Sequence, residues 1–345
     1  MSISRPIGPA FVHPNRSFDE QYRAGMNGAI VLDRSHRALV RVEGKDRERF
    51  LQSMLSADVA RLERGMGRPA TFLTNKGKLV ADLILFREAE RFRMEMEAVS
   101  AEKLVASLGR YVISEDVTLE LDAGETAFSV EGPEAASLLG SVLDTVSPLE
   151  GLTHLGFLEA RTLGVTARVI AKLQEPSPRF DVALNRDRAA GVVDRLIAAG
   201  AVPAATAVAE ARRIEGGHPR FGVDIDETCL PLEAGLEQAV SFDKGCYIGQ
   251  EYVVRLAHRG HLNRKIGGLR LDGPGAVEIG SAVVSDAGNR LGEVTSSAHS
   301  PTLGRGLALA WLRREIFAPG TLVRVESSTE VREAVVTELP FIRPS

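Results

Sequence analysis

The chain has 345 residues, 44% of them hydrophobic and 26% charged, with a formal net charge of −4. That length exceeds one ordinary core and points to two or three domains, and the balance is that of a globular protein rather than a disordered one. The charge excludes a global field that would gather nucleic acid or anionic lipid, and the two cysteines, Cys229 and Cys246, exclude a disulfide scaffold or a four-cysteine metal site.

The start of the chain, with His13, Asn15 and several prolines, lacks the apolar run of a signal peptide, and no apolar run reaches the length of a membrane span. The expected location is the cytoplasm, with both thiols reduced and no membrane partner. Residues 1–24 read as an arm. A buried strand is expected at 28–33 and another at 38–44. Asp46 caps a helix running to about residue 57, with Phe50, Leu51, Met54 and Leu55 on one face. Residues 69–73 and 79–86 form a hairpin around the turn Asn75-Lys76-Gly77-Lys78. Residues 92–97 alternate as an edge strand does, and a helix follows at 101–112.

The order then repeats in outline. Strands at 127–130, 164–170 and 179–183 accompany helices at 133–146, 188–199 and 204–214. Two strand–helix groups of this kind predict two related α+β modules sharing a core, at 25–118 and 119–243. After residue 262 the pattern changes. Short β runs at 267–271, 282–285, 291–297, 306–312, 321–325 and 332–337 are separated by turns such as 272–275 and 286–289. Even spacing of this kind predicts a small antiparallel β-barrel over 263–345. The fold class is therefore α+β followed by a barrel, with a hinge at 244–262.

That hinge carries Lys244-Gly245-Cys246-Tyr247-Ile248-Gly249-Gln250-Glu251. A nucleophile, a cation, a carboxylate and two glycines stand closer here than anywhere else. The octapeptide resembles the signature of the YgfZ family, folate-binding relatives of the glycine-cleavage T-protein (aminomethyltransferase). The likeness extends along the chain through residues 33–44, through Thr74-Asn75-Lys76-Gly77-Lys78 and Asp82-Leu83, through Arg213-Ile214-Glu215-Gly216-Gly217, through residues 231–236 and through Ser300-Pro301-Thr302-Leu303-Gly304. The resemblance implies a T-protein-like body, tetrahydrofolate or a derivative as ligand, and support of iron–sulfur client enzymes, including tRNA-modifying radical enzymes, with transient contact to a cluster. Two departures argue against aminomethyl transfer: Ala81-Asp82 stands where T-proteins carry paired aspartates, and residues 174–185 lack their Gly-Glu run.

Cys246 is the candidate reactive thiol, since nearby cations favour a thiolate; the alternative is an inert buried cysteine. Cys229 has no such setting and reads as core. Lys244 is either a counter-ion, to that thiolate or to a folate glutamate tail, or a solvated turn residue. Gln250 and Glu251 either support the loop or supply first-turn helix chemistry. Under the resemblance, Asp82, Asn75, Arg213, Glu215, Gln250 and Glu251 are the folate-binding candidates. Asp82 would receive hydrogen bonds from the pterin ring, and Arg213 and Glu215 would form a salt-bridged wall. No metal site is expected: His258-x-x-His261 with Cys246 falls outside the usual spacing. Arg255, Arg259, Arg264 and Lys265 offer a rim for anions. Three functions follow: a folate-binding iron–sulfur maturation factor acting through Cys246, a folate-dependent aminomethyl transferase, or a tRNA-binding module, which the net charge opposes.

Overall fold

The structure is a computed structural model that describes residues 16–174, 176–285 and 287–343. Most of the expected arm, and Asp286 of one expected turn, lie outside these residues. The described part of the arm is helical: α1 spans Phe18–Asn27, and Ser17 and Glu20 close a reciprocal capping box at its start. The signal was the Ser-x-x-Glu spacing itself.

Two sheets and a barrel follow. The first sheet has five strands, β2 (Arg37–Glu43), β3 (Gly67–Leu73), β4 (Leu79–Arg87), β5 (Phe92–Glu97) and β6 (Thr118–Leu121), in the order β3-β4-β5-β2-β6. The second has seven, β1 (Ile30–Asp33), β7 (Glu125–Glu131), β8 (Asp144–Thr145), β9 (Phe157–Thr162), β10 (Val165–Lys172), β11 (Arg179–Asn185) and β12 (Val202–Pro203), in the order β12-β1-β7-β11-β10-β9-β8. The second sheet reaches back for one strand. The first strand of the chain pairs antiparallel with β7 and parallel with β12, while β6 returns to β2. Sheet membership therefore does not divide at residues 118/119.

Each sheet has one apolar face and one charged face, because side chains alternate along a strand. Val40, Val42, Leu83, Leu85, Met94 and Met96 pack against α2 (Arg47–Met54) and α3 (Ala98–Gly109). Val31, Phe128, Val130, Val169 and Val182 pack against α4 (Ala135–Val142) and α5 (Arg186–Ala198). Between the sheets lie charges. Arg93 reaches Glu88 and Glu125 at 2.7 Å each, and Arg168 reaches the same two carboxylates at 3.3 and 3.4 Å. This is why β5 is central and buried along its whole length rather than an edge. Its charged residues alternate, as solvent-facing ones would, but face a paired ionic layer.

Helix α6 (Thr206–Glu215) leads into a largely irregular stretch that ends at α7 (Gln250–Arg259). Phe221, Ile225, Cys229, Tyr247 and Val253 of these segments form a small core with Leu73, Leu79 and Ile266. Beyond it, β13 (Arg264–Leu271), β14 (Ala282–Val284), β15 (Arg290–Ser300), β16 (Arg305–Arg313), β17 (Leu322–Glu326) and β18 (Val331–Thr337) close a six-stranded antiparallel barrel in the order β13-β16-β15-β14-β17-β18. The barrel is as the turn spacing predicts. Among the described residues no helix is long and apolar enough to cross a membrane.

Candidate functional site

The charged faces of the two sheets, the segment after α6 and the start of the barrel enclose a cavity of about 920 Å³. Asp82 of β4 stands on its wall. Its Oδ1 is enclosed and has no hydrogen-bond partner. Burial, opposed by Arg37 and reinforced by Glu97, pushes its carboxyl up to about 6. Ala81 alternates to the opposite face, fully buried in the α2–α3 core. A carboxylate at position 81 would therefore project away from the cavity.

Around Asp82 is a set of paired charges. Arg37 Nε donates to Glu95 Oε1 at 3.0 Å, and Arg37 Nη1 donates to Glu97 Oε1 at 2.9 Å. Burial alone would raise Glu95, but Lys172 and Arg37 outweigh it and hold its carboxyl below the usual range. On the facing sheet Ser129 Oγ donates to Asp181 Oδ1 at 2.6 Å, and Arg179 Nε lies 3.1 Å from the same oxygen. Burial opposes ionisation of Asp181, yet Arg179 and Lys172 bring it down to about 2. His36 also lines the cavity; burial lowers its imidazole to about 4 despite Glu97 at 3.8 Å, so it is neutral at pH 7. Sequence reasoning missed His36, Arg37, Glu95, Glu97, Lys172 and Asp181. The usable signal was Arg93-Met94-Glu95-Met96-Glu97, where charge recurs at every second position in an otherwise apolar strand.

Of the folate-binding candidates from the sequence, Asp82 and Arg213 line the cavity. Arg213 is already engaged: Nη1 donates to Asp224 Oδ2 at 2.7 Å and His218 O at 2.6 Å, and Nη2 donates to Ser296 Oγ at 2.7 Å. Glu215 is not its partner. That carboxylate is fully buried, receives Tyr22 Oη at 2.7 Å and Ser300 Oγ at 2.5 Å, and is raised by burial against those two bonds. Arg213 and Glu215 therefore tie α6 to α1, to the loop after it and to the barrel, instead of forming a common salt-bridged wall.

Asn75 and the octapeptide lie elsewhere. Gly77 of the β3–β4 turn and Gly249 before α7 both have positive φ, at 72° and 81°. They touch so closely that a Cβ on Gly249 would sit 2.5 Å from Thr74 O and 3.0 Å from Gly77 Cα. Gly249→Ala is therefore expected to cost about 1–2 kcal/mol in backbone strain alone, with the clash against Thr74 O added. Chemical denaturation of that variant checks it, with Gly245→Ala as the control, since a Cβ there meets nothing within 4 Å.

Cys246 is exposed and Cys229 buried. Lys244 is not the expected counter-ion or turn lysine. Its Nζ donates to Gln52 O, to Leu55 O at 2.8 Å and to Ala57 O at 2.8 Å, which uses its three N–H bonds on the carbonyls that end α2. Burial, partly offset by Asp58, lowers it to about 8. Gln250 and Glu251 occupy the first turn of α7, which exposes His258, Arg255 and Arg259; Phe242 meets His258 edge-on at 6.0 Å. Among the described residues no three His, Cys, Asp or Glu side chains group to hold a metal ion.

Comparison with known proteins gives this architecture a lineage. Residues 12–244 match the GCVT N-terminal domain, and residues 264–342 match the glycine cleavage T-protein C-terminal barrel domain. The chain is 33% identical over 325 residues to an aminomethyltransferase of Rubrobacter xylanophilus, covering 94% of this chain and 86% of that protein. It is 27% identical to one of Halothermothrix orenii, covering 94% and 92%, and 32% identical to the mitochondrial aminomethyltransferase of Gallus gallus, covering 90% and 81%. A crystal structure of the glycine cleavage system aminomethyltransferase T from Bartonella henselae shares the fold, with a TM-score of 0.87, 23% identity, and 99% and 95% of the two chains covered. The chain thus belongs to the glycine-cleavage T-protein family, with both its GCVT N-terminal domain and its C-terminal barrel.

Proposed function

We propose that the protein binds tetrahydrofolate in the intersheet cavity and acts as a folate-dependent one-carbon transferase of the aminomethyltransferase type. One observation carries this reading: Asp82 presents an enclosed, unpartnered carboxylate oxygen to the cavity while position 81 faces the core. The missing second aspartate therefore subtracts nothing from the cavity, and of the two departures that argued against transfer the one that stands is the lack of a Gly-Glu run at 174–185. An orphaned carboxylate oxygen fits the N–H-bearing edge of a pterin, where a charge-assisted bond would form. Relatives called aminomethyltransferases that align over most of their length support the same reading.

Tetrahydrofolate supplies the amine that accepts the one-carbon unit. The chain's own part is to bind, orient and manage protons. A carboxyl raised to about 6 is divided between its two forms near neutrality, so Asp82 is able to hold or release a proton at Oδ1. Neutral His36 adds a polar contact without a charge, and the pairs Arg37–Glu95 and Arg179–Asp181 keep the remaining walls fixed. Calorimetric titration with tetrahydrofolate tests binding: saturable heat is expected from the wild type, and its absence sinks the reading. Turnover of an aminomethyl donor in the presence of tetrahydrofolate tests transfer.

A second reading is favoured by Cys246, an exposed thiol apart from the cavity. The octapeptide supports a place among the YgfZ relatives and a role in maintaining iron–sulfur enzymes. Cys246→Ala is expected to bind tetrahydrofolate as the wild type does, since the thiol does not line the cavity. In a strain lacking the protein, failure of that variant to restore iron–sulfur enzyme activity would favour the second reading, and full rescue would end it.

A further inference from the structure

Lys172 ends β10 on the cavity wall and is 4% exposed. Among the described residues its Nζ makes no hydrogen bond; its ion pair with Asp181 Oδ2 is long, at 3.8 Å. The neighbouring carboxylates do not require it. Asp181 already receives Ser129 Oγ and pairs with Arg179, and Glu95 already receives Arg37 Nε. Its Nζ also lies over the Phe86 ring, 5.9 Å from the centroid. A buried ammonium with unspent donors is still costly, because burial removes water and a ring face supplies no hydrogen-bond acceptor of comparable strength. Burial accordingly shifts the amine downward against the pull of Glu95 and Asp181. Asp82, on the facing sheet, is the complementary case: an enclosed acceptor with no donor. Arg37 acts electrostatically on both groups. The cavity therefore offers an unspent acceptor on one wall and an unspent donor on the other.

We propose that Lys172 is a specificity-determining residue that donates to a neutral carbonyl oxygen of the bound ligand. This rests on the folate reading above and adds to it which edge of the ligand is recognised. The oxygen is a carbonyl and not a carboxylate because the local charges already cancel, Arg37, Arg179 and Lys172 standing against Glu95, Glu97 and Asp181; a further anion beside those carboxylates would be repelled. A 2-amino-4-oxopyrimidine ring carries such an acceptor next to two donors. A ring with an amino group in place of the oxo oxygen would set a donor against the ammonium.

The test is calorimetric titration of tetrahydrofolate and of its 4-amino-4-deoxy counterpart. Wild type is expected to favour the oxo form by roughly 10- to 100-fold, the range for a hydrogen bond to a charged group. In Lys172→Met the affinity for tetrahydrofolate falls by a similar factor and the preference disappears. Lys172→Gln keeps a donor and recovers part of the preference, which separates lost recognition from lost folding; melting curves of both variants provide the second check. The proposal is overturned if wild type binds both ligands equally, or if Lys172→Met keeps tetrahydrofolate affinity and preference unchanged. In either of those outcomes tetrahydrofolate still binds and the folate reading stands. Wild type that binds neither ligand overturns both.

Discussion

Asp82→Asn is expected to fold, to be more stable than wild type at pH 7, and to lose folate-dependent one-carbon transfer by roughly 10²- to 10⁴-fold, the usual range for a proton-handling group. The stability gain follows from the direction of the shift. The folded-state carboxyl is raised from 3.8 to about 6 by burial, with Arg37 opposing and Glu97 reinforcing. The native protein therefore binds more protons than the unfolded chain between those values, and stability falls as pH rises through that window. Above it, ionised Asp82 costs at most about 3 kcal/mol. Asparagine has no charge to desolvate, so the variant's advantage is absent near pH 4 and complete by pH 7. Urea unfolding at both pH values measures it. Besides burial, the charged groups that set this window are Arg37 of β2 and Glu97 of β5. A pH–rate profile of the wild type is expected to show an inflection near 6 that the variant lacks; an unchanged profile would remove Asp82 from proton transfer.

Arg213→Met is expected to cost about 3–5 kcal/mol, the range for stranding one member of a buried ion pair. Asp224 is 2% exposed. It receives Arg213 Nη1 and Arg220 N through Oδ2, and Thr295 and Ser296 hydroxyls through Oδ1. Removing the guanidinium leaves that carboxylate with neutral donors only. It also removes the direct bond from α6 to Ser296 of the barrel. Denaturant unfolding gives the magnitude. The paired variant Asp224→Asn completes a double-mutant cycle, and a coupling below about 0.5 kcal/mol would show that the two act independently. Tetrahydrofolate affinity of the surviving folded protein is expected to change little, because the guanidinium is spent within the protein.

Much of the architecture was legible. Hairpin β3–β4 follows from its glycine turn, and the six barrel strands follow from regular turn punctuation. Cys229, which lacks the glycine-and-cation setting of Cys246, is buried as expected, although its thiol also bonds to Asp226. The misreadings arise where a local pattern has two spatial outcomes. Alternation in β5 is identical whether the polar face meets water or a second charged sheet, so Arg93, Glu95 and Glu97 were assigned to an edge. Asp82 was named through resemblance, but its turning to the cavity while Ala81 turns to the core was not legible, because only strand parity tells which of two adjacent residues faces a cavity. Lys244 was drawn towards Cys246 by sequence proximity. Its partners are carbonyls of the α2 terminus nearly two hundred residues earlier, which no local pattern announces.

The pairing of β1 across the whole first sheet bears on how the chain reaches this state. Ile30–Asp33 is made first, yet its partners are Glu125–Glu131 and Val202–Pro203. During synthesis that strand stays apolar and unpaired while the whole first sheet is made, until Glu125–Glu131 emerges, and it gains its second neighbour only with Val202–Pro203. Contacts so distant in sequence fold slowly and leave an interval in which exposed edges invite aggregation. The first sheet is drawn from one stretch, 37–121, but the second is incomplete without Ile30–Asp33, which precedes that stretch. Fragments cut at the boundary between the repeats are thus expected to be insoluble, and the body to acquire protease resistance in one late step.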